Sequence, residues 1–134
     1  NRLMKIAPKA ELINTSDEIL FNLLSDLNNL KDFLPAEKIE NWNATSDNCS
    51  FKIKGLAEVG LKKVATTPNS LIYLDSFKAP FKFTLNFYLE KIEDNKTNTS
   101  FVFEANINPF MKMMLEKPLN QFFNEIIVNL KARC

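Results

Sequence analysis

The segment 108–134 carries the longest amphipathic pattern in the sequence, and it constrains the fold more than any other stretch. Asn108 is a good helix N-cap, and Pro109 suits the first helical position, where its missing N–H costs nothing. Ordering a helix backbone costs about 1–2 kcal/mol per residue, so this helix needs a large apolar partner surface. The pattern predicts a helix over residues 109–132 with one apolar face at three- and four-residue spacing, formed by Met111, Met114, Leu115, Leu119, Phe122, Phe123, Ile126, Ile127 and Leu130.

Alternating residues in the middle of the chain predict that partner surface. Residues 81–90 and 101–107 place apolar side chains, mostly phenylalanine, at every second position. Residues 38–44, 49–54, 59–61 and 71–77 read as further strands separated by short polar turns. Consecutive strands of this kind predict an antiparallel meander with one solvated face and one dry face.

The N-terminal third predicts one strand and two short helices. Residues 3–13 contain the strand, and Pro8 favours an edge position for it. Thr15 or Ser16 caps the first helix, whose apolar stripe is Ile19, Leu20, Leu23, Leu24 and Leu27. The second helix, residues 30–34, ends before Pro35.

This element order predicts the α+β class. We expect one domain over residues 1–134, in which an antiparallel sheet of about seven strands wraps around the long C-terminal helix, with two short helices after the first strand.

Composition argues against several kinds of partner and compartment. The net charge is +1 and the basic residues are scattered, which argues against nucleic-acid binding. No apolar run has the length of a membrane span, so stable membrane insertion is not expected. The two cysteines make no disulfide framework and no signal-peptide pattern is present. A cytoplasmic chain with reduced thiols is therefore predicted.

The residues that commonly carry catalysis are scarce. Histidine is absent, and two glycines cannot supply a phosphate-binding loop. The acidic residues fall mostly on predicted solvated faces or turns, and we interpret Asp75 as an outward strand residue. We therefore expect no catalytic residue, no metal site and no cofactor.

Several segments resemble one known superfamily. They are residues 21–30, Phe33-Leu34-Pro35, Trp42, residues 49–55 and the helix start 108–111. Together they resemble the START-like (SRPBCC) superfamily with the helix-grip fold, and more narrowly its small bacterial members of the polyketide cyclase/dehydrase or coenzyme-Q-binding type. The resemblance implies a curved sheet gripping the long helix with an apolar cavity between them. The superfamily shares no catalytic signature, so fold alone does not fix a function.

The dry face and the methionine-rich helix start give the candidate ligand-binding residues. Methionine adapts to irregular volumes, so Met111 and Met114 could form an adaptable wall or simply fill the core. The full candidate set is Phe33, Phe51, Ile53, Val59, Leu61, Ile72, Leu74, Phe83, Leu85, Phe87, Phe103, Met111, Met114, Leu115 and Phe122.

Three functions remain open from the sequence. The favoured one is non-catalytic binding or transport of a small apolar molecule, such as a lipid, fatty acid, isoprenoid or polyketide. The alternatives are an enzyme of the polyketide cyclase/dehydratase type and a cavity-free protein-interaction module. A polar group inside the cavity would favour the enzyme, whereas a filled core with an exposed apolar patch would favour the interaction module.

Overall fold

A computed structural model describes residues 3–134 of the chain. Two 3₁₀ helices, Leu27–Asp32 and Ala36–Lys38, connect α1 to β3. The other elements are, in chain order, β1 (Leu3–Ile6), β2 (Glu11–Ile13), α1 (Asp17–Ser25), β3 (Ile39–Ala44), β4 (Asn48–Ile53), β5 (Ala57–Thr67), β6 (Leu71–Lys78), β7 (Phe83–Glu93), β8 (Lys96–Asn106) and α2 (Pro109–Arg133).

The strands form one antiparallel sheet in the order β1-β8-β7-β6-β5-β4-β3, and β2 pairs with β8 beside β1. The meander from β3 to β8 and the predicted α+β class are confirmed. The predicted first strand is two short strands, because Pro8 lies between them and cannot donate a ladder hydrogen bond. Leu3 pairs with Asn106 in β1, whereas Ile13 pairs with Thr97 in β2.

The start of α1 is capped as predicted, but its buried face is narrower than predicted. The Ser16 hydroxyl accepts from the Ile19 backbone N–H at 3.1 Å. Leu20 and Leu24 are buried, whereas Ile19 is 60% exposed, so its assignment to the apolar stripe was wrong. At about 100° per residue, Ile19 lies a quarter-turn away from Leu20, and this short helix buries little more than one row of side chains.

The boundaries of two other elements differ from the prediction. The second short helix is the 3₁₀ helix Leu27–Asp32, which starts earlier than predicted because the Asp26 carboxylate accepts from the Asn28 N–H at 3.0 Å. Strand β7 begins at Phe83, and Phe81 precedes it. Within β7 the predicted alternation is confirmed, since its alternate apolar residues from position 83 to 89 are buried.

The helix α2 begins as the sequence predicts, and its predicted apolar face is buried from Leu119 onward, whereas Met114, assigned to the same face, is 58% exposed. The Asn108 side-chain oxygen accepts from the Met111 N–H at 2.8 Å. Leu119, Phe122, Phe123, Ile126, Ile127 and Leu130 are buried. Phe123 packs on the sheet with its ring centroid 4.8 Å from that of Phe103 and 5.7 Å from that of Phe101. The core is therefore the layer between the dry face of the sheet and α2.

Candidate functional site

A small pocket, called the inner pocket below, lies between the sheet and α2. Its volume is about 50 Å³. One water needs about 10–15 Å³ by this measure, so the inner pocket is several waters in size and well below the usual 300–1,000 Å³ of ligand sites. Its lining is entirely apolar and consists of Leu30, Leu34, Phe51, Ile53, Val59, Leu61, Phe81, Phe83, Leu85, Phe103, Leu119, Phe122, Phe123 and Ile126.

A larger pocket, the outer pocket, lies under the beginning of α2. Its volume is about 240 Å³. It is lined by Ile53, Leu56, Ala57, Val59, Pro80, Phe81, Met111, Met114, Leu115 and Leu119. The two pockets share the lining residues Ile53, Val59, Phe81 and Leu119, so they are neighbours.

An open groove of about 480 Å³, the rim groove, continues along the other side of Met114 and Leu115. It brings the first polar side chains to the site, namely Lys38, Lys54 and Gln121. The lysine Nζ of Lys38 lies 3.2 Å from Glu125 Oε1. The site is thus apolar inside and polar at its rim, where Lys54 carries a positive charge.

The structure places most of the predicted binding residues around the inner and outer pockets. Phe51, Ile53, Val59, Leu61, Phe83, Leu85, Phe103 and Phe122 line the inner pocket. Met111, Met114 and Leu115 line the outer pocket. Whether they contact a ligand stays a prediction.

Four predicted binding residues line neither the inner nor the outer pocket. They are Phe33, Ile72, Leu74 and Phe87. Ile72, Leu74 and Phe87 lie on β6 and β7, where α1 packs against the sheet. Phe33 is fully buried, its carbonyl accepts from the Asn129 side chain at 2.9 Å, and the Arg133 guanidinium lies 5.5 Å from its ring. These residues fill the core because a neighbouring element covers them.

Sequence reasoning missed a second group of lining residues. Leu30 and Leu34 come from the chain between α1 and β3, and Leu56, Ala57, Pro80 and Phe81 come from turns and their edges. Periodicity marks the buried face of a regular element but gives no signal for a turn that reaches the same space. Leu119, Phe123 and Ile126 could have been chosen, since they belong to the predicted apolar stripe of the helix.

No titratable side chain lines the inner pocket as the structure describes it. The buried thiol of Cys49 belongs to the same core, and burial raises its pKa to about 12, so it stays neutral. Asp75 accepts from the Ser76 N–H at 2.9 Å and borders an open groove with Lys82 and Glu104. The inner pocket can therefore hold an apolar group, but it offers no general acid or base.

A scan of protein-family models finds no match to this sequence, and a search of curated proteins also finds none. Solved structures, in contrast, match almost the whole chain. A START superfamily protein from Mycobacterium smegmatis aligns with a TM-score of 0.75 at 12% identity, over 99% of this chain and 97% of that one. The chain has the START-like, helix-grip fold.

Other proteins with the START-like fold are enzymes by their descriptions. An aromatase/cyclase from Streptomyces sp. R1128 aligns with a TM-score of 0.71 at 10% identity, over 98% of this chain and 93% of that one. Norcoclaurine synthase from Thalictrum flavum, in complex with dopamine and hydroxybenzaldehyde, aligns with a TM-score of 0.72 at 13% identity, over 97% and 85%. At these identities the likeness shows the fold alone.

Proposed function

We propose that this protein binds a small apolar molecule, such as a fatty acid, isoprenoid or polyketide, between the sheet and α2 without transforming it. The observation that supports the proposal is the purely apolar lining of the inner pocket, which continues through shared side chains into the outer pocket. Moving apolar surface out of water contributes about 25 cal/mol per Å², which gives such a lining its affinity.

Pocket size decides how a ligand of this kind would fit. The inner pocket, at about 50 Å³, has room for only the end of a chain. The outer pocket, at about 240 Å³, and the rim groove would hold the remainder. A polar or anionic end would then lie near Lys54 and Gln121, where it remains solvated.

A cavity-free interaction module is the second candidate, because two observations favour it. The inner pocket is small for a ligand site. Phe110, Met113 and Met114 are exposed by 64%, 73% and 58%, and exposed apolar side chains that cluster in this way mark interaction sites. A cyclase-type enzyme has less support, since the polar side chains of the site lie only on its rim.

Probe binding with a matched pair of variants tests the proposal. Val59 lines both pockets, so Val59→Phe should fill the wall between them and lower the affinity for an apolar fluorescent probe at least tenfold. Val64 lies on the same strand, β5, and is 54% exposed, so Val64→Phe should leave binding unchanged. Palmitate and farnesol should displace the probe from the wild-type protein and raise its Tm.

Two outcomes would contradict the proposal. If neither a fatty acid nor an isoprenoid raises the Tm at saturating concentration, the interaction module becomes the better interpretation. If Val59→Phe and Val64→Phe weaken probe binding equally, the probe binds the surface and the pockets are not its site.

A further inference from the structure

The first half of α2 carries an exposed apolar patch, which lies mostly on the side away from the core and reaches the edge of the outer pocket at Met114. The patch consists of Phe110, Met113 and Met114, each more than half exposed. At about 100° per residue these side chains fall within an arc of about 100°, opposite the buried row that contains Leu119 and Ile126. Burial in the core therefore does not account for these side chains, and we call them the α2 patch.

Basic side chains border the α2 patch. At the same 100° per residue Lys117 falls within the arc of the patch, and Lys54 lines the rim groove together with Met114. Within residues 3–134 neither of these lysines forms an ion pair. Glu116 is the acidic residue on this half of the helix, so positive charge dominates around the patch.

We infer that the α2 patch docks the protein reversibly on an anionic lipid bilayer, with Phe110, Met113 and Met114 at the level of the acyl chains and the lysines at the headgroups. Large apolar side chains next to lysines are the combination that binds such an interface. No helix in the described chain is long and apolar enough to cross a membrane, so the contact is peripheral.

The size of the α2 patch favours a bilayer over a second protein. Three side chains at these exposures offer roughly 400 Å², whereas a stable protein interface needs about 800 Å² from each partner. A bilayer sets no such minimum, because each inserted side chain contributes by itself. Its anionic headgroups also complement the unpaired lysines.

Docking in this orientation has a consequence for the pockets. Met114 belongs to the α2 patch and also lines the outer pocket. The mouth of the outer pocket would therefore face the lipid. Membrane docking does not depend on ligand binding, so the two proposals can fail separately.

Co-sedimentation with phospholipid vesicles tests the inference on the full chain. We expect binding to vesicles of phosphatidylcholine with 30% phosphatidylglycerol at low salt and much weaker binding to phosphatidylcholine alone. The double variant Phe110→Ser/Met113→Ser should reduce the partition coefficient at least tenfold. Lys54→Gln and Lys117→Gln should each reduce binding to the anionic vesicles about fivefold.

Val128→Ser is the matched control. Val128 is 64% exposed and lies five full turns from Phe110 on the same side of α2, but far from the patch. It should leave vesicle binding unchanged, and all variants should keep the wild-type Tm because the altered side chains are exposed. Absence of vesicle binding by the wild type, or equal losses in the control and the double variant, would overturn the inference. A wild-type dimer that the double variant converts to a monomer would also overturn it and assign the patch to self-association.

Discussion

The two halves of α2 differ sharply in how they are held, although they form one continuous helix. In residues 119–133, an apolar row from Leu119 to Leu130 is buried against the sheet. In residues 109–118, none of which is buried, Met111 and Leu115 are the partly buried residues that pack on the core. The second half therefore supplies the burial that offsets the entropy of ordering the helix.

Polar contacts show the same division. Four contacts from the second half reach three other segments of the chain: Glu125 to Lys38 at 3.2 Å, Asn129 to the Phe33 carbonyl at 2.9 Å, Lys131 to Glu11 at 3.0 Å and Arg133 to Asp32 at 3.1 Å. Among the hydrogen bonds and ion pairs of residues 3–134, no side chain of residues 109–118 has such a contact. The comparison teaches that one half stabilises the fold, while the other half is free to serve the pockets and the surface.

The largest expected effect comes from shortening one side chain to alanine in each half of α2. Phe123→Ala removes a ring that packs on Phe101 and Phe103, so the free energy of unfolding should fall by about 3–5 kcal/mol. Met113→Ala changes a side chain that is 73% exposed, so the free energy of unfolding should change by less than about 0.5 kcal/mol. Urea denaturation measures both, and similar losses would remove the distinction between the halves.

A second test asks how dry the core is around Cys49 on β4. Burial raises the pKa of Cys49 from its ordinary value near 9 to about 12. Above pH 9 the unfolded thiol loses its proton while the folded thiol keeps it, so the free energy of unfolding should fall with rising pH, by roughly 1 kcal/mol at pH 10. Below pH 9 the effect is absent because both thiols are protonated.

The variant Cys49→Ala is the control for that pH dependence. Every other group is shared by the two proteins, so its contribution cancels in the comparison. Denaturant unfolding at pH 8 and pH 10 should therefore show a smaller decline in the variant. Equal declines would mean that water reaches this part of the core.

A smaller effect is expected at the polar contacts of the second half. Asn129→Ala removes the hydrogen bond to the Phe33 carbonyl and should reduce the free energy of unfolding by about 1 kcal/mol. Asn120 donates instead to the Glu116 carbonyl within the same helix, at 2.8 Å. Asn120→Ala should therefore be close to neutral, because alanine also favours helix. If Asn120→Ala lowers the free energy of unfolding as much as Asn129→Ala does, the loss reflects helix propensity and not the hydrogen bond from Asn129 to Phe33.

The smallest change in stability is expected in the first half, with a clear change in binding. Met114→Phe adds bulk at the mouth of the outer pocket, where a 58% exposed side chain can turn toward solvent. It should alter the Tm by no more than about 2 °C but weaken binding of an apolar probe. Met113→Phe is the neighbouring control, since Met113 lines neither the inner nor the outer pocket. A Tm drop at position 114 alone would mean that Met114 packs as core.

The sequence by itself determined the elements and their dry faces. The Ser16 and Asn108 caps, the alternation in β7 and the apolar row from Leu119 to Leu130 follow from local chemistry and from the fixed periods of helix and strand. The same patterns predicted the antiparallel meander and the long helix that covers it. The helices and strands were therefore predictable, because the caps and periodic patterns that specify each of them lie within its own short stretch of sequence.

Only the tertiary structure decided which dry-face residues are packed and which border a pocket. Ile72, Leu74 and Phe87 have the same pattern as Phe83 and Leu85, yet α1 packs against their strands and fills that end of the sheet. Leu30 and Leu34 reach the inner pocket from the short connection between α1 and β3, and Met114 lies exposed although it matches the helix stripe. A period fixes the direction of a side chain, but the distance to the facing element depends on every side chain between the two layers.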